Sequence, residues 1–223
     1  MKGKISEIFE SIQGEGIYFG ERQVFVRLYG CNLSCQFCDT KLDEFFERTP
    51  EEVISEIEKF KKNDRTVVFT GGEPLVQKDF LVDMMRLTRE RGYKNYLETN
   101  GTLVEELKSV IDLIDVVAMD LKFPSSCGEA PVWDLHRKFL DIADDKDIFL
   151  KAVICATTKE EDLLEAINII RESGKALLLV LQPNSFDDYS QLTVKLEAFK
   201  AVCAKNHVTV CVIPQIHRIV GAK

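Results

Sequence analysis

Cys31, Cys35 and Cys38 fall within eight residues of one another, in the run CNLSCQFCDT over 31–40. Three thiols so close can face one small volume only if the backbone wraps around it as a loop. Soft sulfur donors gathered this way suit zinc, copper or an iron–sulfur cluster. No fourth Cys or His follows nearby to close a tetrahedron. A structural zinc site is normally four-coordinate, and a usual [4Fe–4S] cluster takes four thiolates. Three thiolates on a four-iron cluster leave one iron open, and an open position is where chemistry occurs. A zinc site, or thiols without redox chemistry, is the competing reading of the triplet alone.

Other residues could do chemistry. Thr70-Gly71-Gly72-Glu73-Pro74 follows a predicted strand, and its glycines let backbone groups approach a ligand closely; a tight turn would read the same. Glu98-Thr99-Asn100-Gly101 puts a carboxylate and an amide at a strand end, suited to ribose hydroxyls or to acid–base work. Asn100 or Thr102 could equally cap the next helix. Arg27 on a strand could be a salt-bridge residue, Thr40 a turn cap, and Gln13-Gly-Glu-Gly16 a hairpin turn. Lys122 could be a solvated lysine, and Gln182 carries a weaker signal still. His136 and His207 read as solvated, and His217 as a group that faces substrate. Cys127 reads as a loop thiol, and Cys155, Cys203 and Cys211 as small buried side chains.

The elements that must position these residues alternate. Strands are predicted at 4–12, 24–29, 66–70, 93–98, 115–120, 147–155, 176–181 and 208–213. Helices are predicted at 50–62, 78–91, 103–112, 131–143, 159–172 and 189–204. Thr49 should cap the first helix, with Pro50 at its first position and Glu51 and Glu52 in its first turn. Continuous apolar strands such as 66–70 fit a parallel sheet buried on both faces. Right-handed crossovers then leave a doubly wound sheet or a barrel.

With 223 residues, the chain has room for one substantial α/β domain. A net charge of −8 argues against a general nucleic-acid or anionic-membrane binder. No apolar run approaches the roughly 20 residues that span a bilayer, and the N-terminus lacks the apolar core of a signal peptide. An odd count of seven Cys fits a reducing cytoplasm better than a disulfide framework.

The cysteine loop, with Phe37 before its last Cys, resembles the signature loop of the radical S-adenosylmethionine (SAM) enzymes, and GGEP at 71–74 resembles their SAM-binding motif. The resemblance implies a [4Fe–4S] cluster on Cys31, Cys35 and Cys38. It also implies a TIM-like partial (β/α)6 barrel over 24–223 with an N-terminal β-hairpin extension over 1–23, in one domain. The block from Ser11 to Gly16, Gly20, Val24 to Leu28 and the cysteine loop resembles the 7-carboxy-7-deazaguanine synthase family of the queuosine and 7-deazapurine pathway. Pro214-Gln215-Ile-His217 is similar to that family's ending.

This second resemblance implies conversion of 6-carboxy-5,6,7,8-tetrahydropterin to 7-carboxy-7-deazaguanine with loss of ammonia, SAM being used catalytically. Phe37, Cys38, Asp39, Gly71, Gly72 and Glu73 would line the SAM site, with Asn100, Lys122 and Gln182 nearby. Ile12, Gln13 and Gly14 would contact the pterin, Arg27 its carboxylate, and Thr70 and His217 its edges. Thr40 would supply an oxygen to Mg2+, and Glu98 and Glu15 would handle protons. A flavodoxin- or ferredoxin-type reductant and a homodimer are implied as partners. Asp120-Leu121-Lys122 is more like the glycyl-radical activating enzymes, which keeps such an activator as an alternative beside a non-catalytic zinc or iron module.

Overall fold

The structure, a computed structural model, describes residues 1–40, 43–60 and 65–222. Strand β1 (Gly3–Ile12) pairs antiparallel with β2 (Arg22–Leu28). The turn between them is closed by Gln13 N donating to Glu21 O at 2.7 Å and Gly20 N to Gln13 O at 2.8 Å. A short strand, β3 (Phe46–Arg48), adds to the far side of β1. Sequence reasoning missed it, since its three residues bury no face and are held by backbone pairing.

From β2 onward every strand is parallel to the last: β4 (Thr66–Gly71), β5 (Lys94–Thr99), β6 (Val116–Asp120), β7 (Asp147–Ile154), β8 (Leu179–Pro183) and β9 (Val210–Val212). The sheet order is β3-β1-β2-β4-β5-β6-β7-β8-β9. A doubly wound sheet reverses its order at a switch point, and the parallel run from β2 and β4 to β9 never does. It winds in one direction without β9 returning to β3, which makes a partial barrel with a hairpin at one edge. The expected strand at 176–181 lies two to three residues later, because pairing with β7 carries it through Gln182 and Pro183.

Helices α1 (Pro50–Ile57), α2 (Lys78–Glu90), α3 (Val104–Val110), the one-turn α4 (Pro124–Cys127), α5 (Trp133–Ile142), α6 (Glu160–Glu172) and α7 (Tyr189–Lys205) connect the strands, and α8 (Ile216–Val220) follows β9. Thr49 caps α1 as its sequence predicts: its hydroxyl accepts from Glu52 N at 3.3 Å, and Glu52 accepts from Thr49 N at 2.7 Å. That helix ends at Ile57 instead of running to 62, and residues 61 and 62 lie outside those described. No side chain caps α3, so neither Asn100 nor Thr102 does what the capping alternative required. Among the described residues no helix is long and apolar enough to cross a membrane.

Side chains alternate across the sheet. Val24, Val26, Leu28, Val67, Phe69, Leu97, Val117, Met119, Leu150, Ala152, Leu179 and Leu181 face the helices in the large core. Phe25, Val68, Tyr96, Ala118, Phe149 and Val180 point inward and form a second apolar cluster with Phe9. That cluster is a floor for the concave side, and one step further along the same strands the inward residues become polar.

His136, expected in solvent, is fully buried on α5 against Trp133. Its Nε2 lies 3.1 Å from the carbonyl oxygen of Asn100 and therefore carries the proton it donates. Burial pushes its pKa down to about 4. A histidine neutral in the fold and at 6.5 when unfolded contributes stability that is intact above the unfolded value and lost as pH falls toward the folded one. At about 1.4 kcal/mol per unit, the loss approaches about 3 kcal/mol. Urea midpoints of wild type and His136→Gln should therefore converge between pH 7 and pH 4; parallel curves would contradict the assignment.

Candidate active site

The polar layer above the floor is built by strand parity. Arg27 follows Phe25, Thr70 follows Val68, Glu98 follows Tyr96, Asp120 follows Ala118, Lys151 follows Phe149, and Gln182 follows Val180. All six line one cavity of about 1120 Å³ at the C-terminal ends of the parallel strands, where α/β barrels place their active sites. Ile12, Gln13, Gly14 and Glu15 close it on one side. Cys31, Cys35, Phe37, Cys38, Asp39 and Thr40 close it on another, with Gly71, Gly72, Asn100 and His217 completing the wall. Of the residues to which the resemblance gives a role at the site, only Glu73 does not line it.

Glu73 is fully buried beneath the loop after β4. Its carboxyl accepts from Asn100 N at 2.7 Å, Leu75 N at 3.1 Å and Thr99 Oγ1 at 2.9 Å. Burial pushes its pKa up to about 7, against the pull of those donors. Glu73 thus positions the loop and does not reach the cavity. Glycine is required beside it: Gly71 has φ +140°, and a Cβ on Gly72 would lie 2.3 Å from Gly30 O and 2.7 Å from Cys31 Cβ. Asn100 ties the same region to the cysteine loop, donating to Asn32 Oδ1 at 2.9 Å, while Asn32 donates to Thr102 at 2.8 Å.

All seven cysteines are free thiols. Cys127, read as a loop thiol, is buried at the end of α4, where its thiol and that of Cys35 influence each other's acidity. A fourth sulfur is therefore close in space although remote in sequence, but it does not line the cavity. Three thiols on one loop facing an open cleft, beside a glycine wall with no room for Cβ, fit a cluster that takes one iron per thiolate. Among the described residues no three His, Cys, Asp or Glu converge closely enough to hold a single metal ion. Two buried acceptors at the cavity wall, Asp120 Oδ1 and Gln182 Oε1, have no partner among the described residues.

Charges in the polar layer are matched in pairs. Lys151 Nζ bonds Glu15 Oε2 and lies 3.3 Å from Asp120 Oδ2. Sequence reasoning passed over this lysine; the signal was a cation at inward parity in the apolar strand DIFLKAVI. Burial is the largest single influence on Glu15 and opposes its ionisation, but the Lys151 charge and the hydrogen bonds from Lys151 and Gln215 together overcome it and hold the carboxyl down at about 2. Glu98 moves the other way, raised by burial and then by the Glu15 charge, although Thr70 and Gln13 donate to it. Two carboxyls thus face one cavity with their acidities pushed in opposite directions. Lys122 is not solvated: it pairs with Asp120 at 3.0 Å and sits 5.2 Å over the Phe37 ring. Arg27 rests 5.5 Å over the ring of Phe9 and 3.8 Å from Glu7, a loose hold that leaves its fork available.

Comparison with known proteins agrees with this architecture. The family profile for the Radical SAM superfamily matches residues 25–196. A 7-carboxy-7-deazaguanine synthase of Archaeoglobus fulgidus is 42% identical, the match covering 100% of each chain. The enzyme of that name from Geobacter sulfurreducens is 33% identical over 98% of this chain and 97% of its own. The crystal structure of QueE from Escherichia coli superposes with a TM-score of 0.68 at 20% identity, covering 95% and 94% of the two chains, a likeness of fold. The chain belongs to the Radical SAM superfamily and, within it, to the 7-carboxy-7-deazaguanine synthase family.

Proposed function

We propose that the chain, acting as one unit over 1–223, converts 6-carboxy-5,6,7,8-tetrahydropterin to 7-carboxy-7-deazaguanine with loss of ammonia. The observation that carries this reading is the union, around one cavity, of a three-thiol loop and a polar layer with a guanidinium and two carboxyls of divergent acidity. Cys31, Cys35 and Cys38 hold the [4Fe–4S] cluster, and Phe37, Asp39, Gly71 and Gly72 bind SAM, with Asn100, Lys122 and Gln182 behind them. When bound, cluster and SAM would supply the capacity to take a hydrogen atom from substrate.

The chain's own residues bind, orient and move protons. Arg27 takes the pterin carboxylate as a planar fork, while Ile12, Gln13, Gly14 and Thr70 hold the ring and His217 stands against Gly14. Holding the reacting carbon in register with the attacking one is the protein's largest contribution. Thr40 would offer an oxygen to Mg2+, a hard ion suited to oxygen donors. Glu98 keeps a proton available, and ionised Glu15 fixes the donors around it. Exposed Cys31 and Cys38 leave the loop accessible to a flavodoxin- or ferredoxin-type reductant. A reducing cytoplasm would keep the seven cysteines as thiols, and a homodimer is carried over from the family resemblance.

Anaerobically reconstituted protein given the carboxypterin, SAM, Mg2+ and a reductant should generate the deazaguanine chromophore with many turnovers per SAM. Cleavage of SAM without that product would sink the reading. Arg27→Ala should raise KM for the pterin about 10- to 100-fold, the worth of a charge-assisted pair, while iron content and SAM affinity stay unchanged. Loss of the cluster in that variant would contradict the role given to Arg27.

A further inference from the structure

Gln215 lies just after β9 and is almost fully buried. Its single side-chain nitrogen is shared between two carboxylates that line the cavity and come from different segments, the turn after β1 and the cysteine loop. Nε2 donates to Glu15 Oε1 at 2.8 Å and to Asp39 Oδ2 at 3.0 Å. Its Oε1 accepts from Ser185 Oγ at 2.5 Å, which fixes the amide so that the donor end faces the two acids. One amide therefore uses both its hydrogens as a bridge and its oxygen as an anchor, with no bonding capacity left over on the donor side.

Each end of this bridge leads somewhere different. Glu15 belongs to the turn that lines the polar layer, and its other oxygen bonds Lys151. Asp39 follows Cys38 on the cysteine loop and is also held by Arg218 at 2.7 Å. The segment carrying Gln215 is itself seated on the turn, since Ile216 N donates to Gly14 O at 2.8 Å. A Cβ on Gly14 would lie 2.0 Å from the His217 ring, so the two segments touch without slack. Displacing Glu15 must therefore change the hold on Asp39, and the reverse.

We propose that Gln215 is a positioning residue that couples occupancy of the cysteine-loop side of the cavity to occupancy of its polar layer. The inference rests on the proposed assignment of SAM to the first side and the pterin to the second. Filling one side sets Glu15 or Asp39, and the shared amide then presets the other. Coupling of this kind is reciprocal, so each ligand must tighten the other by the same factor.

The test is equilibrium titration of reconstituted, non-turning-over protein, kept without reductant, with SAM and with the pterin, each alone and in the presence of the other. Wild type should show mutual tightening of about tenfold. Gln215→Leu should bring that factor to about one, with each ligand alone bound within about twofold of wild type. Should Gln215→Leu fail to fold, Ser185→Ala, which frees the amide to rotate, is expected to lower the factor in both directions. Hydrogen exchange gives a second readout: pterin alone should slow exchange around Asp39 in wild type and not in Gln215→Leu. Coupling that persists in the variants, or its absence in wild type that binds both ligands, overturns the proposal while leaving the site assignment intact. Wild type that binds no pterin removes the assignment and the proposal together.

Discussion

Cys38→Ala protein, reconstituted without air, is expected to be colourless, to hold no cluster and to give no turnover. Cys31→Ala and Cys35→Ala should behave alike, because three thiolates are the fewest that hold a cluster with one open iron. Cys127→Ala is the informative contrast. That thiol influences Cys35 yet is buried and does not line the cavity, so the variant should stay brown and active. Bleaching in Cys127→Ala would mean that four thiolates enclose the metal, and the catalytic reading would fall. Iron content and the visible spectrum decide between the two outcomes.

The second large effect is expected at Lys151. Lys151→Met would leave Glu15 and Asp120 as neighbouring carboxylates without the cation that both contact. Breaking a buried pair from one side costs about 3 kcal/mol or more, equivalent to a Tm about 10 °C lower for a chain of this size. Turnover should fall about 100-fold, since Glu15 loses its fixed place and a small displacement at such a site is enough. Adding Glu15→Gln to Lys151→Met should recover part of the lost stability, because the unpaired charge is then gone. A Tm within about 2 °C of wild type for Lys151→Met would show that the pair is not load-sharing in the way its geometry implies.

The barrel is legible in sequence because its strands are short apolar runs and its helices keep helical spacing. The cysteine loop and the glycines after β4 are legible because their spacing is local. What sequence hides is whatever depends on parity or on distant partners. Glu73 has the motif of a ligand-contacting residue, but its carboxyl is turned inward to three donors. His136 sits among charged neighbours on α5, and only the packing of that helix shows which face is buried. Gln215 meets Glu15 and Asp39 across separations of 200 and 176 residues, which no local pattern encodes. Lys151 is the exception that could have been found, by counting parity along its strand.

That parity also limits how the molecule can change over evolutionary time. A single codon lost from β7 ahead of Lys151 would turn that lysine toward the helices and bring Ala152 into the cavity, exchanging a cation for a methyl group and burying a charge in oil. Inner strands can therefore absorb length changes only two residues at a time, whereas the loops at the opposite rim are under no such restriction.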